Sequence, residues 1–298
     1  MDTTFQAMNS TVKLKGLTPA LQEEIKYLFY TFEGKASRFI EGNNLDFINQ
    51  SPLHVPILLE ESIADLLEKS MQLTRKVNYY VNPFLGEVMK GIGYTTSFTT
   101  DFSPCYKHSN RKGFVQEPFE QIAKQWIVKN ESFSLDFGGF GKGYIVDRAK
   151  ELLMKEGVKE AIVNAGGDLV VLGTHQVGIE HPMMMGKDMM RLYISDVSMA
   201  TSAKNFRTWT NGNQRVHHLV NGQTGEVAEN EVIQATAIAK TTMEAETLSK
   251  LLCILPFDQA KQMILKKFPS TAYVVYFHNH NIIVGGDKTI YEGLEVST

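Results

Sequence analysis

The sequence predicts a mixed fold in which antiparallel β material is combined with helices, and three observations carry that prediction. Short alternating or apolar runs separated by turn residues follow one another at Val170–Gly173, Gln176–Glu180, Arg191–Val197 and His217–Val220. Apolar residues recur at helical spacing in well-separated windows, among them Ser62–Val77 and Thr242–Leu255. The composition, 43% hydrophobic and 21% charged over 298 residues, is that of a globular chain able to bury a core.

Alternation from Thr4 to Leu14 reads as a strand, and Thr18-Pro19 with the charged run to Phe32 reads as the helix after it. Ser62–Val77 is a second helix, ending before NYYVNPFLG, a loop or helix entry. Gly91–Pro118 mixes polar, aromatic and Gly/Pro residues without sustained period and reads as a long irregular connection, followed by a short apolar run at Gln125–Val128. The segment SLDFGGFGKGYIVD then packs Gly138, Gly139, Gly141 and Gly143 ahead of Ile145, Val146, Ala149, Leu152 and Leu153, so a Gly-rich loop opens an amphipathic helix that Gly157 ends. Ala161–Asn164 is a strand leading into Gly166-Gly167 and Asp168. After the β-rich third quarter and the Thr242–Leu255 helix come a helix near Asp258–Lys267 and strands at Ala272–Phe277 and Asn281–Val284. No low-complexity linker or close repeat is found in the chain, and composition marks no domain boundary.

Thirty Lys+Arg against 33 Asp+Glu give a net charge of -3, without the basic excess that a run of phosphate contacts on nucleic acid demands. One small anionic ligand stays open, since it needs only local cations and backbone N–H groups. Cys105 and Cys253 make no CxxC or Cys/His ligand spacing, which fits a reducing compartment. The first residues lack a basic segment followed by an apolar one, and no stretch of about 18 apolar residues occurs, so no membrane span and a cytoplasmic location are expected.

In the Gly-rich loop, missing Cβ atoms let backbone approach a ligand, N–H groups at a helix start attract negative charge, and Lys142 adds a cation. The spacing is neither GxxxxGK[ST] nor GxGxxG. Taken alone, the loop is compatible with phosphate binding and with a plain turn of the chain.

Read in order, DFGGFGKGYIVD, VNAGGD, VGIEHP, ATSA, HHLVNGQTG and TTMEAETLSKLL resemble the motif series of the ApbE-like FAD:protein FMN transferases, with MDTTF, SRFIEGNNLDFIN and YYVNPFLG in the places of upstream family segments. The resemblance implies an α+β, T-fold-like architecture of antiparallel sheets with helices and FAD held in a cleft, with residues 1–298 forming one domain. It implies transfer of FMN from FAD to a Thr or Ser hydroxyl of a target protein with release of AMP, assisted by a divalent metal, usually Mg²⁺. Carried over by motif position, Met1, Phe39, Tyr80, Val81, Asn82, Asp136, Lys142 and Asp168 would contact the flavin nucleotide. The carbonyl of Gly139 would be a metal ligand, and His218 would handle the acceptor hydroxyl's proton.

The chain departs from the pattern where metal ligands are expected as Asp-x-x-x-Thr, because it has Glu246 and Lys250. Glu can still coordinate, but a protonated Lys cannot and would repel the ion. Asn82 and Asn221 replace family carboxylates and Gln223 an Arg; Asn keeps a hydrogen-bonding carbonyl but supplies no charge. A transferase is therefore expected, with a FAD-binding homologue that has lost or altered transfer, or a FAD hydrolase giving FMN and AMP, as the alternatives.

Plainer roles stand beside these. Glu246 and Lys250, at i,i+4, suit an exposed helix ion pair ahead of metal ligation. Asp136 suits a cap, Asp168 a turn, and Phe39 a packed aromatic. His217 and His218 would face opposite sides of a strand, with His217 at the surface, and Met183–Met185 suit a flexible loop.

Overall fold

In the computed structural model, which describes residues 2–98, 102–105, 112–211 and 214–296, the opening alternation is folded back on itself by Met8 and Asn9, at φ 52° and 55°. The expected single strand is therefore a hairpin of β1 (Thr3–Ala7) and β2 (Ser10–Lys15), with Ala7 opposite Ser10. Alternation gives the same period on both sides of a two-residue turn, and Met8 carries no turn signature, so the reversal was hidden.

The elements after it are α1 (Pro19–Ala36), α2 (Asn44–Gln50), β3 (Pro56–Leu58), α3 (Glu61–Lys76), α4 (Gly86–Gly91), β4 (Phe119–Ala123), β5 (Trp126–Lys129) and α5 (Gly141–Lys155). Then come β6 (Ala161–Ala165), β7 (Asp168–Leu172), β8 (Thr174–Glu180), β9 (Asp188–Ser195), β10 (Ser198–Ala203), β11 (Thr208–Asn211), β12 (Gln214–His217) and β13 (Val232–Ala239). The chain closes with α6 (Thr242–Ile254), α7 (Phe257–Lys267), β14 (Ala272–Phe277), β15 (Ile282–Gly286) and β16 (Tyr291–Val296). The chain divides into two compact units.

The first unit contains Met1–Leu28, Lys142–Phe206 and Glu229–Thr298. Its centre is an 8-stranded sheet in the order β1-β2-β6-β7-β10-β13-β14-β15, with antiparallel pairing throughout. A 3-stranded sheet of β16, β9 and β8 belongs to the same unit. Period-2 alternation sends Leu169, Val171, Met199, Val274 and Tyr276 into one apolar core with Leu192 and Ile194 of the smaller sheet. The opposite face of β10 and β13 is covered by α6, where the Ser202 and Ser249 hydroxyls lie 2.8 Å apart.

The second unit contains Phe29–Gly141 and Arg207–Ala228. It holds a 3-stranded sheet in the order β3-β5-β4, the β11–β12 hairpin and the helices α2, α3 and α4. Its aromatic core gathers Tyr94, Trp209, Val216 and Val220 with Phe39, Phe98 and Phe102 packed against them. Between α4 and β4, the described residues form no helix or strand, as the irregular composition there implied.

Candidate functional site

The first unit builds a charged cluster where β7, α5 and α6 meet. Asp168 opens β7 immediately after Gly166 and Gly167, whose positive φ values, 65° and 94°, form the two-residue turn between β6 and β7. The left-handed backbone at Gly166 calls for glycine, and a Cβ there would also crowd the Ser10 hydroxyl. Because Leu169 points into the sheet–sheet core, Asp168 points to the opposite, α6-covered face, paired with Ala200 of β10.

Nearly every residue of α6 is buried, not the single broad face that its apolar spacing indicates. Its N-terminus is held twice: the Thr241 hydroxyl accepts from the Glu244 N–H, and the Asp147 carboxylate of α5 accepts from the Thr242 and Met243 N–H groups. Burial, opposed by those N–H bonds, raises the Asp147 pKa. One turn on, Glu246 Oε1 accepts from Lys250 Nζ at 2.9 Å and Oε2 accepts from the Gly143 N–H at 2.8 Å. The second bond needs glycine at 143, since a Cβ there would meet the Met243 Cα at 2.7 Å. Lys142, in the first turn of α5, is ion-paired to Asp168, and its Nζ lies 3.9 Å from Glu246 Oε1.

Two carboxylates and two ammonium groups thus occupy one buried place and their charges cancel. The side chains of Asp168 and Glu246 are 1% and 0% exposed, those of Lys142 and Lys250 16% and 11%, so the cations form the less sealed side. Burial pushes the Asp168 carboxyl up to about 6, with Lys142 opposing the shift and Glu246 reinforcing it. Burial opposes ionisation of Glu246 as well, but the Lys250 and Lys142 charges prevail and hold it below the usual carboxylate range. The Glu246–Lys250 pair is the i,i+4 pair its spacing suggests, yet it is buried rather than exposed. Likewise the helix-start N–H of Gly143 serves a carboxylate of the chain itself.

In the second unit, Asp136 caps the 3-10 turn Phe137–Gly139, its carboxylate accepting from the Gly138 N–H at 2.7 Å. The same carboxylate pairs with Arg38 Nε at 2.8 Å. The Arg38 guanidinium stacks 4.1 Å over the Phe39 ring and 4.7 Å from the Tyr94 centroid, and its Nη2 is a buried donor with no hydrogen-bond partner among the described residues. Arg38 was not singled out in the sequence, although it precedes Phe39 in the SRF motif; an Arg beside an aromatic inside a matched motif was the available signal.

Asn82 is buried and its amide is fully used: Nδ2 donates to the carbonyls of Tyr79 and Gly222, and Oδ1 accepts from the Phe84 N–H. Tyr80 joins the same seam through its carbonyl, which accepts from the Gly222 N–H, while Val81 is buried beside it. A carboxylate at 82 could not donate, so Asn is the residue this junction requires. Asn221 Oδ1 accepts from the Gln223 N–H, forming an Asx turn. His217 is half-buried rather than fully at the surface: its Nε2 donates to the Ala228 carbonyl and its Nδ1 accepts from the Leu219 N–H. His218 follows the end of β12 and is half-buried. Met1, expected at the nucleotide, lies outside the described residues, and Met183–Met185 form an exposed turn between β8 and β9.

A magnesium-type cation requires several unshared oxygens in near-octahedral array. In the first unit both carboxylates are already shared with ammonium groups, and position 250 offers a cation where a hydroxyl ligand is implied. Among the described residues, no three His, Cys, Asp or Glu side chains are grouped to hold an ion. The donor set does not fit a resident divalent cation.

The sequence profile of the ApbE family matches residues 1–275. The chain is similar to the FAD:protein FMN transferase of Treponema pallidum, 23% identical over 285 residues covering 88% of this chain and 78% of that one. It is similar to the FAD:protein FMN transferase of Escherichia coli K12, 21% identical over 260 residues covering 83% and 74% of the two chains. Among solved structures, the ApbE protein from Thermotoga maritima superposes with a TM-score of 0.83 at 19% identity over 97% of each chain. The flavin transferase ApbE from Vibrio cholerae superposes with a TM-score of 0.78 at 16% identity, again over 97% of each chain. The expected architecture of antiparallel sheets with packed helices is the one these structures share.

Proposed function

The chain belongs to the ApbE family, and from that premise we propose that it is a FAD:protein FMN transferase. The observation that carries the reading is similarity to a protein of that name over an alignment 285 positions long that covers 88% of this chain. The clustering of Lys142, Asp168, Glu246 and Lys250, all drawn from the matched motifs, supports it.

In the proposed reaction, the hydroxyl oxygen of an acceptor Thr or Ser attacks the phosphorus of the FMN half of FAD. A new P–O bond forms as the bond from that phosphorus to the bridging oxygen breaks, and AMP leaves with that oxygen. The hydroxyl proton passes to His218, the histidine to which the family resemblance gives that role. Lys142 and Lys250 donate to phosphate oxygens as charge shifts toward the leaving group. Phe39, Tyr80, Val81, Asn82, Asp136 and Asp168 are assigned to shaping the nucleotide's surroundings, directly or through the groups they hold. The reaction is written without a resident Mg²⁺, because the donor set does not fit one.

The protein's partners in this reading are FAD and a flavin-accepting protein. No helix among the described residues is long and apolar enough to cross a membrane. The two free cysteines, one exposed and one buried, fit a reducing compartment, and a cytoplasmic location is part of the proposal.

Incubating the purified chain with FAD and a panel of Thr-bearing acceptor domains should add the mass of FMN less water to an acceptor, read by intact-protein mass spectrometry. The buried Glu246–Lys250 pair favours a second reading, in which the chain holds FAD but passes FMN slowly or to water. Chromatography of the same reaction separates the two: free FMN and AMP without a modified acceptor identify hydrolysis.

A further inference from the structure

We infer that the Lys250 ammonium, with that of Lys142, supplies the positive charge that a divalent cation would otherwise bring to a diphosphate, so that this chain binds FAD without metal. The inference rests on the reading that the chain takes FAD, and it deepens that reading.

Geometry is the first support. Glu246 Oε1, an oxygen that a cation would need, is occupied by Lys250 Nζ at 2.9 Å, and the other oxygen is bound to the Gly143 N–H at 2.8 Å. Asp168, the second carboxylate of the cluster, is held by Lys142. A dication entering there would have to displace both ammonium groups, because two buried carboxylates cannot neutralise two lysines and a double charge together.

The second support is energetic. A buried ion pair is commonly no more stabilising than an apolar pair of similar size, so stability alone does not account for Lys250 in a helix buried along nearly its whole length. An ammonium has three N–H donors, and Glu246 takes one from Lys250, leaving donors for an anion. The two lysine side chains are the more exposed members of the cluster, at 16% and 11%, while the carboxylates are sealed. An approaching anion therefore meets the cations and not the carboxylates. Lysine is also a point-charge binder of phosphate, suited to a diphosphate whose orientation is fixed elsewhere.

The test needs two measurements. Calorimetric titration of the wild-type chain with Mn²⁺ alone should give no binding in the micromolar range; a micromolar site overturns the inference without reference to any variant. Fluorescence titration with FAD, in EDTA and in excess MgCl₂, should give the wild type the same Kd within about twofold in both buffers, well inside the tenfold that corresponds to 1.4 kcal/mol. Lys250→Thr should weaken FAD binding about tenfold or more in EDTA, a loss of about 1.4 kcal/mol or more. The double variant Glu246→Asp/Lys250→Thr should regain affinity only with Mg²⁺. Wild-type binding that collapses in EDTA overturns this inference and leaves the transferase reading standing. A wild type that binds FAD in neither buffer overturns both.

Discussion

Lys250 Nζ and Glu246 Oε1 lie 2.9 Å apart on successive turns of a helix buried along nearly its whole length. The relationship makes each residue dependent on the other. Lys250→Met should leave Glu246 without its nearest cation and lower stability by ~3 kcal/mol or more in urea unfolding. Adding Glu246→Gln to that variant should recover a large part of the loss, since the uncompensated charge is then gone. Additive losses would show that the two residues do not act as a pair.

Asp168 gives the cluster a pH signature. Its folded pKa, raised to about 6 by burial, lies above its ordinary 3.8, so the carboxyl is more easily kept protonated in the fold than in the unfolded chain. Its contribution to stability is fully present below 3.8 and is lost as pH rises through about 6. Asp168→Asn should therefore gain stability relative to the wild type as pH rises from 4 to about 6 and hold a constant difference above that range. Urea midpoints at stepped pH check this, and a difference that shrinks with rising pH contradicts it.

The Asn82 junction predicts that restoring a carboxylate is harmful here. Asn82→Asp removes donors to the Tyr79 and Gly222 carbonyls and places negative charge against them. A loss of ~2–4 kcal/mol is expected at neutral pH, from two unmade bonds at ~1–3 kcal/mol each with partial relaxation. The deficit should be smaller at pH 5, where a buried carboxyl regains a proton and one donor.

Gly166→Ala should destabilise through two separable causes, a left-handed φ of 65° and crowding of the Ser10 hydroxyl. Pairing it with Ser10→Gly should relieve the collision and leave the backbone penalty of ~1 kcal/mol. Thermal unfolding of the single and double variants tests the division.

Much of this organisation was legible in the sequence. β14 runs over Ala272–Phe277 and α6 over Thr242–Ile254, each within a residue of the range read from its pattern. β10 and β13 escaped notice because they lie at the centre of the large sheet. β13 is buried at all of its positions and so shows no alternation, while β10, SMATSA, turns small polar residues toward α6. α2 is only 7 residues long and depends on the Asn43 cap more than on apolar spacing. The residues of the charged cluster stood out as motifs, but their partners did not. Nothing local in the sequence puts Lys142 on Asp168, or the Gly143 N–H on Glu246, because those contacts join segments far apart in the chain.

In the proposed reaction His218 has a role separable from FAD binding. His218→Asn should leave the Kd for FAD within about twofold and slow acceptor modification about 100-fold or more, the lower range of general-base contributions. Equal losses in binding and rate would remove the proton-transfer role.

The most direct test of the account is intact-mass measurement of acceptor domains after incubation with FAD and the wild-type chain in EDTA. The account predicts a gain of one FMN less water on a Thr or Ser, with an equivalent of AMP released, at a rate that added Mg²⁺ changes little. Acceptors that remain unmodified while the chain holds FAD, with or without Mg²⁺, would contradict it.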